Sequence, residues 1–265
     1  MFRCSRCALA FVHPLPSDDY LIQFYSTFHT ALAKGGSYEL IEERMKADFP
    51  AKVKKVLSFR NGSSFMLLDV GCGKGFFVKA CADAGVDAQG IDLSDTAVNH
   101  AVEKLGVRAT CGTLEENINS IGQFDVVTFW ATLEHLPRPV NTLNSIRSIL
   151  RPGGLLLLDT GIGNDWLDRM LPGVNQWYDP PQHLYVFTRQ AIAIALDRAG
   201  FDIVDLDCNF ERSTARRIAR VGRGAVAAIG LRTAATIGRC LDRSNGFGFT
   251  RFPIGNLMSV TARKR

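Results

Sequence analysis

The 265-residue sequence predicts an α/β fold: a mostly parallel sheet with helices on both faces. Two observations carry this. Short apolar runs alternate with helical stretches from residue 65 onward. Caps, glycines or prolines also mark several of the switches between them. Phe65–Val70 (FMLLDV) reads as a buried strand ending in glycines, and residues 75–84 as a helix. Gln89–Leu93 closes a second strand, and Ser94 caps a helix over Asp95–Leu105. Val107–Cys111 is a short third strand and Phe124–Trp130 (FDVVTFW) a fourth. A helix over Asn141–Leu150 stops at Arg151-Pro152-Gly153-Gly154, and Leu155–Thr160 (LLLLDT) is the fifth strand. Thr188 caps a helix running to Ala199, Gly200 ends it, and Phe201–Leu206 is a sixth strand. Leu257–Ala262 is the last.

Two regions lie outside this alternation. Residues 1–60 read as an N-terminal cap, with a Cys-x-x-Cys start, a loop at 13–16 (HPLP) and helical material around 37–59 broken near Pro50. Residues 61–265 form the main domain, interrupted at about 211–250 by a basic, Ala/Gly-rich helical insertion. Residues 211–265 hold 12 of the 31 Lys and Arg but only two acids, so residues 1–210 are net acidic although the chain carries +5. A local anionic partner fits this asymmetry better than general nucleic-acid binding. No apolar run is long enough to span a membrane, and the start lacks the apolar core of a signal peptide. Seven scattered cysteines do not form a disulfide framework, so a reducing cytoplasm is expected.

The loop after the first strand reads Asp69-Val70-Gly71-Cys72-Gly73-Lys74-Gly75. A dinucleotide fingerprint needs a small residue at position 76, where the chain has Phe76. Asp92 ends the second strand, at the place that meets a ribose in such sheets.

With "LLDVGCGKG", "GIDLSDTAV", "FDVVTFWATLEHLPRP", "LRPGGLLLLDT" and "LYVFTRQAIAIALDRAGF" in order over roughly residues 50–210, the chain resembles the class I S-adenosylmethionine-dependent methyltransferases. The resemblance implies a Rossmann-like, seven-stranded sheet with an antiparallel last strand, and S-adenosylmethionine as cofactor. It implies that Asp69, Gly71, Cys72 and Gly73 cradle the methionine part. Asp92 would take the ribose hydroxyls, Leu93 would pack on the adenine, and Thr113 and Leu114 would sit at the adenine edge. Trp130 would line the pocket near the sulfonium. Many relatives carry an acid where this chain has Thr113, a departure from their pattern.

The cofactor brings an activated methyl group, so the protein has mainly to orient an acceptor and, for an alcohol or phenol, remove its proton. Gln176–Tyr185, between the fifth strand and the Thr188 helix, should form the acceptor-facing rim. His183 is the leading candidate base, with His135 and Tyr178 in reserve; His183 as a loop anchor is the competing reading. The segment 129–139 (FWATLEHLPRP) is similar to that of the ubiquinone-biosynthesis O-methyltransferases, which use a Glu-x-x-x-Glu-His metal site. Here Trp130 stands in place of the first glutamate. Adjacent residues in a regular helix diverge by about 100°, so Glu134 and His135 alone make a poor chelate and no metal is expected.

Cys4-Ser5-Arg6-Cys7 with the following His-Pro-Leu-Pro resembles the second knuckle of a zinc ribbon that precedes some sugar and secondary-metabolite methyltransferases. The partner Cys-x-x-Cys is missing upstream, so either the chain begins late relative to such relatives or the knuckle is a remnant, and no zinc is expected. Arg212, Arg216, Arg220 and Arg223 fall at helical spacing, so 211–243 reads as a solvated lid or as a contact with an anionic membrane at the inner surface. The expected function is methyl transfer from S-adenosylmethionine to a small-molecule, sugar or lipid-linked acceptor, with a cofactor-binding regulatory protein as the alternative. No Pro-Pro-Tyr/Phe-type motif for base methylation follows the fourth strand, so no nucleic-acid partner is expected.

Overall fold

The computed structural model describes residues 1–33, 37–59, 64–163, 175, 177–209 and 257–265. The basic insertion, with its arginine stripe, lies outside the described residues.

A seven-stranded sheet organises the chain. Its strands are β3 (Met66–Val70), β4 (Asp87–Asp92), β5 (Arg108–Cys111), β6 (Phe124–Trp130), β7 (Leu150–Gly161), β9 (Phe201–Asn209) and β10 (Leu257–Lys264). Two short strands at the amino terminus, β1 (Phe2–Arg3) and β2 (Ala10–Phe11), and β8 (Tyr185–Val186) form a separate small sheet. The large sheet has the order β5-β4-β3-β6-β7-β10-β9. β3, β4, β5, β6 and β7 pair in parallel, while β10 runs antiparallel to both β7 and β9. The order of connection reverses at β3, and its carboxyl end, beside β4 and β6, is where such sheets bind ligands.

Buried side chains divide between the two faces. One cluster joins the sheet to α6 (Pro139–Ile149) and α7 (Arg189–Arg198) through Leu143, Ile146, Ile192 and Leu196. The other joins it to α2 (Ser37–Ser58), α3 (Phe76–Asp83) and α4 (Asp95–Leu105) through Phe49, Val53, Phe77, Val78 and Ala101. A helix α1 (Asp18–Ala33) precedes α2, and a single turn α5 (Leu114–Asn117) follows β5.

Local rules account for most element ends. Ser94 accepts a hydrogen bond from Ala97 N (3.3 Å) at the start of α4, and Thr188 one from Ala191 N (3.0 Å) at the start of α7. α6 begins at Pro139, two residues before the expected start, because proline suits the first helical position, where no amide partner is needed. Four expectations were too short or too cautious. β7 starts at Leu150, which pairs with Phe124 across a register irregularity, so Arg151–Gly154 continue the strand. β9 and β10 run on to Asn209 and Lys264 because they pair with each other over that length. α2 continues through Pro50, since Phe49, Val53 and Val56 are buried against the sheet and offset the one lost helical bond.

Candidate active site

The β3–α3 loop has the geometry of a backbone cradle. Gly71 and Gly73 adopt left-handed conformations (φ 74° and 51°). Gly71 N donates to Ile91 O at 2.8 Å, and a Cβ at Gly71 would lie 2.5 Å from a Thr132 methyl. Gly73 is different: a Cβ there would meet no atom within 4 Å, and its amide donates to Asp92 Oδ2 at 2.7 Å. The other Asp92 oxygen accepts from Ser94 N at 2.9 Å, so two amides orient this carboxylate across the mouth of the loop. Leu93 beside it is 39% exposed, an apolar platform at the strand end.

Asp69 is buried and accepts from Thr128 Oγ1 at 2.6 Å. Burial pushes its pKa up to about 7, opposed by the Thr128 bond and by Lys52, and reinforced by Asp92 and Asp159. Cys72 is also buried, in the cluster under α2 and α3, and its amide donates to Ile91 O; burial holds its thiol protonated. Cys72 therefore contributes backbone to this loop, with its side chain in the core.

Thr113 and Leu114, expected at the adenine edge, follow β5. Thr113 Oγ1 accepts from Glu116 N (3.1 Å) while Glu116 Oε2 accepts from Thr113 N (2.8 Å), a reciprocal cap on α5 that engages the Thr113 side chain. Leu114 is 2% exposed and packs in the core.

Trp130 is buried at the end of β6, edge-on to Phe77 with ring centroids 5.2 Å apart. Lys52, from α2, sits 4.3 Å over the Trp130 ring and pairs with Asp159 Oδ2 at 2.8 Å. Asp159 Oδ1 accepts from Ala131 N at 2.7 Å, holding Ala131 in a left-handed conformation (φ 50°) as the chain leaves β6. Sequence reasoning missed Lys52, whose helix lies outside the strand–helix alternation; Asp159, an acid ending a run of four leucines, was the visible signal.

Past Ala131 a tight turn (Leu133–His135) presents Glu134 and His135 to the rim loop. His135 Nδ1 lies 2.6 Å from Gln182 O, and His183 Nδ1 lies 3.1 Å from Trp177 O. A carbonyl only accepts, so both imidazoles carry a proton on Nδ1. The two rings are 4.9 Å apart. Burial holds His135 below the ordinary histidine range, hence neutral at pH 7. Tyr25, from α1, donates to the same Gln182 carbonyl at 2.9 Å and packs edge-on to His135. The Tyr178 hydroxyl accepts from Arg3 Nη2 at 2.9 Å, which braces the rim loop to the amino-terminal hairpin.

Glu134 is 1% exposed, and burial pushes its pKa up to about 8. Oε2 accepts from Thr160 Oγ1 at 2.9 Å, whereas Oε1 is buried with no partner among the described residues. One ligand atom each from Glu134, His135 and His183 lies within 4.8 Å of the others. The third donor that the sequence pattern lacked at residue 130 thus arrives from the rim loop, and an N,N,O set with an orphaned carboxylate oxygen fits a divalent ion.

The methyltransferase-domain family model matches residues 41–206. The chain is 30% identical over 181 residues to the ubiquinone biosynthesis O-methyltransferase of Cereibacter sphaeroides, covering 61% of this chain and 72% of that one. It is 32% identical over 159 residues to the enzyme of the same name from Haemophilus ducreyi, covering 51% and 67%. Among solved structures, a SAM-dependent methyltransferase from Archaeoglobus fulgidus superposes with a TM-score of 0.60 at 19% identity, covering 86% of this chain and 99% of that one. The magnesium protoporphyrin IX methyltransferase of Synechocystis with bound SAM gives 0.59 at 14% identity, covering 96% and 100%. With the glycine cradle, the oriented Asp92 and the sheet order all in place, the chain belongs to the methyltransferase-domain family and is an S-adenosylmethionine-dependent methyltransferase.

Proposed function

We propose that this enzyme O-methylates a small-molecule acceptor, with His183 as the base that takes the acceptor's proton. The observation that carries this reading is the pair His135–His183, rings 4.9 Å apart at the carboxyl end of the sheet, each with Nδ1 on a backbone carbonyl. The relatives named for ubiquinone biosynthesis are O-methyltransferases, which supports a hydroxyl acceptor. The finer choice among phenolic, sugar and lipid-linked hydroxyls belongs to an acceptor screen.

Bound S-adenosylmethionine supplies a methyl group already activated on a sulfonium. The residues of this chain do the rest. Asp92, fixed by two amides, would hold the ribose; the glycine backbone would follow the methionine part; Trp130 would border the sulfonium. His183 would accept the proton as the acceptor oxygen attacks, and His135 would wall the opposite side. His183→Ala is expected to lower kcat by about 10²- to 10⁴-fold with S-adenosylhomocysteine affinity unchanged. Wild-type turnover in this variant would remove His183 from the chemistry.

A second reading follows from the orphaned Glu134 Oε1: Glu134, His135 and His183 would hold a divalent cation that lowers the acceptor's pKa. A chelator separates the two readings. Loss of activity, restored by added divalent metal, favours the ion; indifference to chelator favours the base.

Asp69 gives a pH signature. Its folded pKa of about 7 lies above the ordinary 3.8. Between these values the folded protein holds a proton that the unfolded chain has lost, so this group's stabilising contribution falls as pH rises from about 4 to about 7. A cationic ammonium favours the ionised form, so affinity for S-adenosylhomocysteine should rise about tenfold from pH 6 to pH 8. Titration calorimetry checks this, and Asp69→Asn should weaken binding and flatten the dependence. An equally steep profile in the variant would assign the effect to another group.

A further inference from the structure

Among the described residues, Trp130 Nε1 is a buried donor with no hydrogen-bond partner. Buried polar groups in folded proteins are nearly always paired, so this N–H calls for a partner that packing alone does not supply. Its direction is fixed. The ring is 6% exposed, edge-on to Phe77, with the Lys52 ammonium 4.3 Å above it and Asp159 opposite in the β6–β7 ladder.

Strand register sets this donor beside the glycine loop. Asp69 of β3 pairs with Thr128 of β6, and the Thr128 hydroxyl donates to the Asp69 carboxylate, so both side chains share one face of the sheet. Side chains alternate along a strand, which puts Trp130, two residues on, on the same face. Asp69 and Trp130 thus stand on adjacent strands with their backbones roughly 8 Å apart, from strand spacing and rise.

Donor and acceptor chemistry then identifies what fits between them. The methionine part of the cofactor carries a sulfonium, an ammonium and a carboxylate. An indole N–H only donates, and of these three groups only the carboxylate accepts. The ammonium only donates, and Asp69 is an acceptor on that face. Ammonium and carboxylate share one carbon, which suits two partners on neighbouring strands. Lys52 offsets the charge of Asp69 and Asp159, which would otherwise repel an anion. We propose that the Trp130 indole N–H holds the methionine carboxylate of S-adenosylmethionine and so selects the intact amino-acid end of the cofactor. This rests on the reading that the glycine loop seats the methionine part.

The test is titration calorimetry of the full-length enzyme with S-adenosylhomocysteine and with its decarboxylated analogue, which keeps the ammonium and lacks the carboxylate. Trp130→Phe retains an aromatic ring beneath Lys52 and removes only the N–H side of the indole. The variant is expected to bind S-adenosylhomocysteine about 10- to 100-fold more weakly, as for a lost hydrogen bond to a charged group, and to bind the analogue as the wild type does. Equal weakening of both ligands, or unchanged affinity for S-adenosylhomocysteine, overturns the proposal. Failure of the wild type to bind either ligand would instead overturn the glycine-loop reading beneath it. Should Trp130→Phe not fold, nuclear magnetic resonance of the wild type with isotope-labelled tryptophan decides. The Trp130 indole N–H signal, assigned by elimination through Trp166→Phe and Trp177→Phe, should move downfield with S-adenosylhomocysteine and not with the analogue. The same shift with both ligands, or with neither, overturns the proposal.

Discussion

Gly71→Ala is expected to lower S-adenosylhomocysteine affinity more than about 100-fold and to destabilise the protein by about 1–3 kcal/mol. Two causes combine. Gly71 sits at φ 74°, where an L side chain is strained, and its Cβ would lie 2.5 and 2.6 Å from the Thr132 Cγ2 and Oγ1. Relief requires either Thr132 or the loop to move, and Thr132 belongs to the turn that leads to Glu134 and His135. Gly73→Ala is the informative partner. Its φ of 51° costs about 1 kcal/mol, yet its Cβ would meet no protein atom within 4 Å. Gly73→Ala should therefore unfold nearly like the wild type but bind the cofactor product poorly. Calorimetry and thermal melts together check the pair. Wild-type affinity in folded Gly73→Ala would show that the loop does not cradle the ligand.

Lys52→Met is expected to cost about 3 kcal/mol of stability, because it strands a carboxylate in the interior. The side chains of Asp159 and Lys52 are 4% and 17% exposed, and Lys52 also lies over Trp130. The lysine thus anchors α2 above the ends of β6 and β7 through a paired charge and a cation–π contact. Its loss leaves Asp159 with the Ala131 amide as its stated partner. Lys52→Met with Asp159→Asn should recover at least about half the loss, since no charge is then left unpaired. Urea unfolding of the single and double variants gives the coupling. A single-variant cost below about 1 kcal/mol would mean that water, not Lys52, compensates Asp159.

Much of the fold was legible because its signals are local. Apolar runs of strand length, and Ser94 and Thr188 as caps, each act within a few residues. The glycine loop and the place of Asp92 at the end of β4 were legible for the same reason: the loop is one uninterrupted stretch, and the acid ends the next strand. Thr113 shows a local signal that was available and not used. Thr113-Leu114-Glu115-Glu116 carries the Thr-x-x-Glu pattern of a reciprocal cap, and Leu114 within it is the apolar residue that enters the core.

The rest needed the chain to be folded. Lys52 meets Asp159 across 107 positions, Tyr25 meets Gln182 across 157, and nothing in the residues between them encodes either encounter. Glu134 and His135 read as a poor chelate because the sequence shows only their neighbours, while His183 reaches them from a loop beyond the next strand. By itself the sequence determined the strand–helix alternation, the glycine loop after β3 and the methyltransferase family, since periodicity, capping and glycine conformation are set by adjacent residues. Only the tertiary structure decided which distant polar groups share one buried space. There the low dielectric makes pairing compulsory and sets the charge states of Asp69, Glu134 and His135.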